Sequence, residues 1–296
     1  MSTSPTHHGI VVGADGSAPS KVAVDWAARE ASMRGVPLSI VHVIQSPAVR
    51  MWPEVPMPPE VLARMERDGQ ELLSDARRIA TEATAETRQI HIETELIAGG
   101  VLPTLIDLSK DADMIVAGCR GTGPINRRLL GSVSRGLIQH AHAPVAVIHD
   151  EDPLMAHPAK APVLVGIDGS PVSEAATAVA FEEASRRGVD LIALHVWSDF
   201  TLYDVPETEL PALQRRAEET LSERLAGWQE RYPDVHVRPV VALNRPVHQL
   251  LETSDAAQLT VVGSHGRGGF AGMLLGSVSL AVAESARMPV LVVRPT

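Results

Sequence analysis

Two glycine-rich segments carry the clearest chemical signal in the sequence. Both follow the pattern G-x2-G-x9-G-S, and they read GCRGTGPINRRLLGS at 118–132 and GSHGRGGFAGMLLGS at 263–277. Glycines let backbone N–H groups approach an anion without a side chain in the way. The closing Gly-Ser pairs are placed to open a helix, whose N-terminus favours phosphate. The pattern therefore predicts two phosphate cradles, at Gly118, Gly121, Gly131 and Ser132 and at Gly263, Gly266, Gly276 and Ser277.

Two better-known phosphate loops do not fit these segments. The sequence has no G-x4-G-K-[ST], and so it lacks the lysine of a Walker loop. Residues 266–271 match the dinucleotide-binding pattern G-x-G-x-x-A, but they follow the fourth strand signal of their copy rather than the first. The first copy does not match, because Asn126 stands where the pattern has alanine. We therefore give this match little weight.

An aspartate follows the first apolar run of each copy, in IVVGADGS at 10–17 and VLVGIDGS at 163–170. Ligands of open α/β sheets bind beyond the carboxyl ends of the strands, where the strand order reverses. If the first and fourth strands are neighbours there, Asp15 faces one glycine loop and Asp168 faces the other. Such a carboxylate could accept hydrogen bonds from a ribose or an adenine amino group; the alternative is a helix-capping or turn aspartate. Val41 and Leu194, on the second strands, are either an apolar wall for a base or plain core residues.

The elements that position these residues also occur twice. LSIVHV at 38–43 corresponds to LIALHV at 191–196, and LLGSVS occurs at both 129–134 and 274–279. We predict two homologous domains, 1–150 and 151–296, with the polar, proline-bearing stretch 150–161 as the linker. Each copy alternates strand and helix signals, which is typical of a parallel sheet with helical crossovers. The predicted fold is α/β, with two doubly wound domains.

Composition limits the classes of function. The chain has 296 residues and a formal net charge of −10, which argues against a broad nucleic-acid footprint. No apolar run approaches the roughly 20 residues of a membrane helix, and the polar N-terminus shows no signal segment. We therefore expect a cytoplasmic protein. The single cysteine, Cys119, excludes an internal disulfide, and Ser264 replaces it in the second copy. No metal site is predicted, and His42 and His195 are interpreted as structural strand histidines rather than ligands or catalysts.

The V-G-x-D-G-S turns and the doubled G-x2-G-x9-G-S loops resemble the universal stress protein family in its tandem, ATP-binding form. The resemblance covers nearly the whole chain and implies a five-stranded parallel sheet of order 3-2-1-4-5 in each half. It implies ATP as the ligand, leaving open whether Mg²⁺ accompanies it and whether ATP is slowly hydrolysed. It also implies a regulatory role in stress or growth arrest. The implied ATP contacts are the eight loop positions above, both aspartates, and Gly13, Gly166, Val133 and Val278.

Alternatives and partners complete the prediction. The first copy departs from the family pattern at Pro124, Asn126, Arg127 and Arg128, which puts its loop geometry in question. One alternative function is a nucleotide-acting α/β enzyme, a hydrolase or nucleotidyl transferase; another is a nucleotide-free dimerisation module. The apolar fifth strands, PVAVIH at 144–149 and PVLVVR at 289–294, predict a homodimer because apolar sheet edges tend to pair. The expected partners are thus an adenine nucleotide and a second copy, with neither membrane nor nucleic acid.

Overall fold

In the computed structural model, the described residues are 8–44, 59–121, 130–149, 158–197, 210–266 and 275–294. The chain divides into two compact units, Met1–Asp150 and Glu151–Thr296. A short 3-10 helix, Pro158–Lys160, lies in the segment predicted to be the linker. Most of that segment lies outside the described residues, as do Pro124, Asn126, Arg127 and Arg128.

In the described part of the first unit, strands and helices alternate from the first strand to the last. They are β1 (Gly9–Gly13), α1 (Ala18–Arg34), β2 (Leu38–Ile44), α2 (Pro59–Ala83), β3 (Ile92–Ala98), α3 (Val101–Leu108), β4 (Ala112–Gly118), α4 (Ser132–His140) and β5 (Val145–Ile148). The second unit repeats this order. Its elements are β6 (Val163–Ile167), α5 (Pro171–Arg187), β7 (Leu191–Trp197), α6 (Leu210–Arg231), β8 (Val237–Leu243), α7 (Pro246–Ser254), β9 (Leu259–Gly263), α8 (Ser277–Ser285) and β10 (Val290–Val293).

Each unit builds a parallel sheet with the strand order that the family resemblance implies. The first sheet runs β3-β2-β1-β4-β5 and the second runs β8-β7-β6-β9-β10. In the first, Ile10 of β1 lies in register with Leu38 of β2 on one side and Met114 of β4 on the other. The α/β prediction and the 3-2-1-4-5 order are therefore confirmed. Since β1 neighbours β4, and β6 neighbours β9, the switch point of each sheet lies where the sequence analysis required it.

Local sequence explains how the helix after each first strand begins and ends. The Ser17 hydroxyl oxygen accepts the N–H of Ser20 at 3.3 Å and so caps α1. Gly35 ends α1 with φ of 68°, a left-handed conformation that favours glycine. In the second unit, Ser170 caps α5 and Gly188 ends it with φ of 62°. These caps determine where each helix starts relative to the strand before it, and so they position the turn that holds the aspartate.

Candidate functional site

The turn after β1 holds the carboxylate of Asp15 through several hydrogen bonds. Oδ1 of Asp15 accepts the N–H of Ser17 at 3.0 Å and its hydroxyl at 2.6 Å. The N–H of Asp15 donates to the hydroxyl oxygen of Ser20 at 3.0 Å. Gly16 takes φ of 80°, in the left-handed region. Oδ1 therefore closes an Asp-x-Ser turn at the helix start, as expected of a turn aspartate.

The turn after β6 repeats this arrangement around Asp168. Its Oδ1 accepts the N–H of Ser170 at 2.9 Å. Its own N–H donates to the hydroxyl oxygen of Ser173 at 3.2 Å, and Gly169 takes φ of 80°. Ser20 and Ser173 are nearly fully buried and were not among the predicted site residues. The sequence signal that could have found them is the serine three positions after each capping serine.

The second oxygen of each aspartate faces the glycine loop. A Cβ atom added to Gly121 would lie 2.5 Å from Oδ2 of Asp15. An added Cβ on Gly266 would collide with Oδ2 of Asp168 in the same way. Real Cβ atoms do not approach other atoms this closely, so a side chain at the second glycine of either loop would force the neighbouring carboxylate to move. The structure therefore brings together two predicted features, the aspartate and the loop, in both units.

The first glycine of each loop packs against the start of a helix. A Cβ atom on Gly118 would lie 2.8 Å from the carbonyl carbon of Pro19, on α1. On Gly263 it would lie 3.0 Å from Cγ1 of Val172, on α5. The carbonyl of Gly118 also accepts the hydroxyl of Ser134 at 2.7 Å. These two glycines therefore let a strand end approach a helix closely, which keeps the aspartate turn next to the loop.

The third glycine of each loop starts a helix. The N–H of Gly131 donates to the carbonyl of Cys119 at 2.8 Å, and that of Gly276 donates to the carbonyl of Ser264 at 2.7 Å. Both glycines are helix N-caps. The first N–H groups of a helix have no acceptor within the helix, and they attract anions. Those groups belong to Ser132 and Val133 in α4 and to Ser277 and Val278 in α8; the two serines are exposed and the two valines half-buried.

Four predicted contact residues lie beneath this arrangement, in the sheet. Gly13 packs under α3, where an added Cβ would lie 3.2 Å from Leu105, and Gly166 packs in the same way under Leu250. The side chains of Val41 and Leu194 are each only 1% exposed. Their packing is that of core residues, and as described they offer almost no surface to a base.

A cleft of about 210 Å³ adjoins the Asp15 turn between α1 and α2. Its lining includes Gly16, Ser20, Lys21, Leu72 and Asp75. It is smaller than the roughly 300–1,000 Å³ of ordinary small-molecule sites. We therefore place the candidate site at the carboxylate and the glycine loop rather than in this cleft.

The described residues contain no group of three or more His, Cys, Asp or Glu side chains that could hold a metal ion. Among the helices that the structure describes, none is both long enough and apolar enough to cross a membrane. Cys119, beside the first loop, is buried at 3% exposure. In the second unit its counterpart is Ser264, whose hydroxyl oxygen lies 3.1 Å from Nδ1 of His265.

Comparison with known proteins identifies the family. The sequence model of the universal stress protein family matches residues 7–149 and 161–294, one match in each unit. The chain belongs to the universal stress protein family. A universal stress protein of Mycobacterium tuberculosis is 52% identical over 294 residues, covering 99% of each chain. Another, of Mycolicibacterium smegmatis, is 51% identical over 299 residues and covers 100% of each.

A solved structure supports the fold of this universal stress protein. The crystal structure of a universal stress protein from Archaeoglobus fulgidus superposes with a TM-score of 0.70. The two sequences are 21% identical, and the match covers 97% of this chain and 96% of the other. The predicted family and its tandem form are thus confirmed.

Proposed function

We propose that this universal stress protein binds ATP once in each unit and acts as a nucleotide-dependent regulator of stress response or growth arrest. One observation carries the proposal: in both units a carboxylate oxygen lies directly against the second glycine of a G-x2-G loop. A glycine loop that opens a helix suits phosphate. A carboxylate at its edge suits the donors of a ribose or an adenine amino group. In each unit, a group suited to the nucleoside lies beside a loop suited to phosphate, as nucleotide binding requires.

The roles follow from the hydrogen-bonding capacity of each group. Asp15 and Asp168 each use Oδ1 to close a turn and direct Oδ2 towards the loop, which assigns them to the nucleoside end. The helix starts after Gly131 and Gly276 supply backbone N–H groups for the phosphates. The described residues therefore fit an adenine nucleotide, and they include no cluster of three or more side chains that could hold a metal ion. ATP titrations with and without Mg²⁺ decide whether the ion accompanies the phosphates.

The positions of the two aspartates favour nucleotide binding over rapid ATP hydrolysis. A general base must lie within hydrogen-bond reach of the attacking water. One oxygen of each aspartate is committed to its own turn, and the other faces the backbone of Gly121 or Gly266. We therefore assign the aspartates to binding, and expect hydrolysis to be slow or undetectable.

Two measurements test the proposal. Mass spectrometry of the ligand released from the denatured, freshly purified protein should find an adenine nucleotide. A turnover assay should give a rate well below about 1 s⁻¹, which is the low end of ordinary enzymes. If the purified protein carries no nucleotide and added ATP does not bind, the proposal is wrong. Sustained hydrolysis near 1 s⁻¹ or faster would instead support the enzyme alternative.

We also propose that the chain forms a homodimer. The apolar sequences of the fifth strands, at 144–149 and 289–294, support association. Light scattering across a wide concentration range should give twice the mass of one chain. A mass that stays at 31.6 kDa throughout would contradict the dimer.

A further inference from the structure

A histidine on the second strand of each unit contacts the turn that carries the aspartate. Nδ1 of His42, on β2, lies 2.7 Å from the carbonyl oxygen of Ala14. Nδ1 of His195, on β7, lies 2.6 Å from the carbonyl oxygen of Ile167. A carbonyl oxygen only accepts hydrogen bonds, so Nδ1 must carry the proton in both rings. The contact thus defines both the tautomer and the donor.

The carbonyl that each histidine holds belongs to the peptide group that carries the aspartate N–H. In the first unit, His42 bonds the C=O of the Ala14–Asp15 peptide, and Ser20 accepts its N–H at 3.0 Å. In the second, His195 and Ser173 hold the Ile167–Asp168 peptide at the same two ends. Because a peptide group is planar, bonds at both ends determine its orientation. The direction in which the aspartate side chain leaves the backbone is then constrained.

The backbone of Ala14 is also attached to the second strand. Its N–H donates to the carbonyl of Val41 at 2.9 Å. Both polar backbone groups of Ala14 are thus bonded by β2, one by a backbone carbonyl and one by the ring of His42. The residue before Asp15 therefore cannot shift relative to the sheet without breaking one of these bonds.

The ring of His42 is itself confined. It is half-buried, and α2 passes over it at Gly69, where an added Cβ atom would lie 3.2 Å from Cδ2 of the ring. Close packing of this kind restricts a ring to its rotamer. Because its ring is held in place on β2, the histidine fixes the aspartate turn relative to the sheet.

We propose that His42 and His195 are positioning residues for the two nucleotide sites, each acting through the aspartate that follows the carbonyl it bonds. This inference rests on the proposed function and names residues that serve it. Loss of the donor leaves a buried carbonyl without its partner and releases one end of the peptide group. We expect binding at that site to weaken between about three- and ten-fold. Adenosine and ATP should weaken by similar factors, because the aspartate is assigned to the nucleoside end.

The test compares two substitutions of His42. His42→Phe keeps a ring and removes the donor, whereas His42→Asn loses the ring but places an amide N–H near the position of Nδ1. Adenosine and ATP affinities are measured by calorimetry in an Asp168→Ala, Gly276→Glu background, which removes both the nucleoside contact and the phosphate contact of the second site and leaves the first site to be observed. His42→Phe should weaken both ligands, and His42→Asn should recover most of the loss. His91→Phe, a change at an exposed histidine of the same unit, should leave both affinities unchanged.

A double-mutant cycle separates positioning from general structure. In an Asp15→Ala background, His42→Phe should cause little further loss, because its effect passes through that carboxylate. Additive losses, an unchanged affinity in His42→Phe, or failure of His42→Asn to recover binding would each overturn the inference. An independent check is the tautomer: long-range ¹H–¹⁵N spectra of the parent should show the Nδ1–H form for both rings, and the Nε2–H form would contradict the inference even if His42→Phe failed to fold. Absence of nucleotide binding in the parent would refute the proposed function instead.

Discussion

The two units use the same contacts around different side chains. Where the first loop has Cys119 and Arg120, the second has Ser264 and His265. The bond that closes each loop is nevertheless the same, because the N–H of the helix-capping glycine donates to the carbonyl of residue 119 or 264. These bonds use the backbone alone, so the side chains between the glycines are free to differ. The parts of the candidate site that the two units share are therefore glycines, one carboxylate and a helix start.

The units differ in how tightly these parts are packed. An added Cβ atom on Gly131 would lie 3.4 Å from the carbonyl oxygen of Cys119, an ordinary contact. On Gly276 it would lie 3.1 Å from Cα of His265. The second unit is thus the more crowded one at the third glycine of its motif.

The largest expected effect is the loss of ATP affinity when one of the two proposed phosphate cradles is blocked. Gly131→Glu and Gly276→Glu each place a bulky anion where the phosphates are proposed to lie. Loss of two charge-assisted hydrogen bonds, at roughly 1.5–3 kcal/mol each, should weaken ATP at that site by at least about 100-fold. Adenosine should weaken less, since it has no phosphate. Calorimetry with both ligands measures this difference.

Alanine at the same positions serves as the matched control and sharpens the comparison. Gly131→Ala should be nearly neutral, whereas Gly276→Ala should weaken its site, because the second position is more crowded. A folded Gly131→Glu variant, verified by circular dichroism, that binds ATP as tightly as the parent would contradict the cradle. Equal effects of the two alanines would contradict the difference in packing.

The next largest effect is expected at the carboxylates. Asp15→Ala and Asp168→Ala should each weaken adenosine and ATP at one site by about 10- to 100-fold, through loss of a charged acceptor. Equilibrium binding of both ligands measures the effect. Asp25→Ala, which removes an exposed aspartate paired with Arg29 on α1, is the control and should change neither affinity. An aspartate variant that loses ATP but retains adenosine would show that the carboxylate does not serve the nucleoside end.

The smallest effect is expected at the capping serines. Ser17→Ala and Ser170→Ala each remove a helix cap and should lower the free energy of unfolding by about 1 kcal/mol, measured by urea titration. Ser17→Ala should also weaken nucleotide binding a few-fold, because Asp15 loses the hydroxyl donor at 2.6 Å. An unchanged affinity in Ser17→Ala would show that this hydroxyl bond to Asp15 has no consequence for binding.

Much of the fold could be predicted from the sequence because its local signals agree with one another. Ser17 and Gly35, residue types typical of helix starts and helix ends, bound α1. The helix α2 ends at Ala83 without a glycine to mark its end. There the hydroxyl of Thr84 donates to the carbonyl of Ala80, and turns follow. Such competition between side-chain and backbone hydrogen bonds is difficult to read from a helical pattern alone.

The site was predictable in its residues but less so in its contacts. Motif spacing placed Asp15 opposite the first loop, and the geometry of Gly121 agrees with that expectation. The bond from His42 to Ala14, and the packing of Gly118 on Pro19, join residues far apart in the sequence. Their geometry depends on how β1, β2 and α1 pack, which no local pattern contains.

The central claim is that each unit binds one adenine nucleotide, and the stoichiometry of the nucleotide-stripped protein tests it most directly. Calorimetric titration with ATP should give two sites per chain, reduced to one by either Gly131→Glu or Gly276→Glu. A single site in the parent that is abolished by Gly276→Glu and unaffected by Gly131→Glu would contradict the account, because it would show that the first unit does not bind nucleotide despite its matching carboxylate and loop.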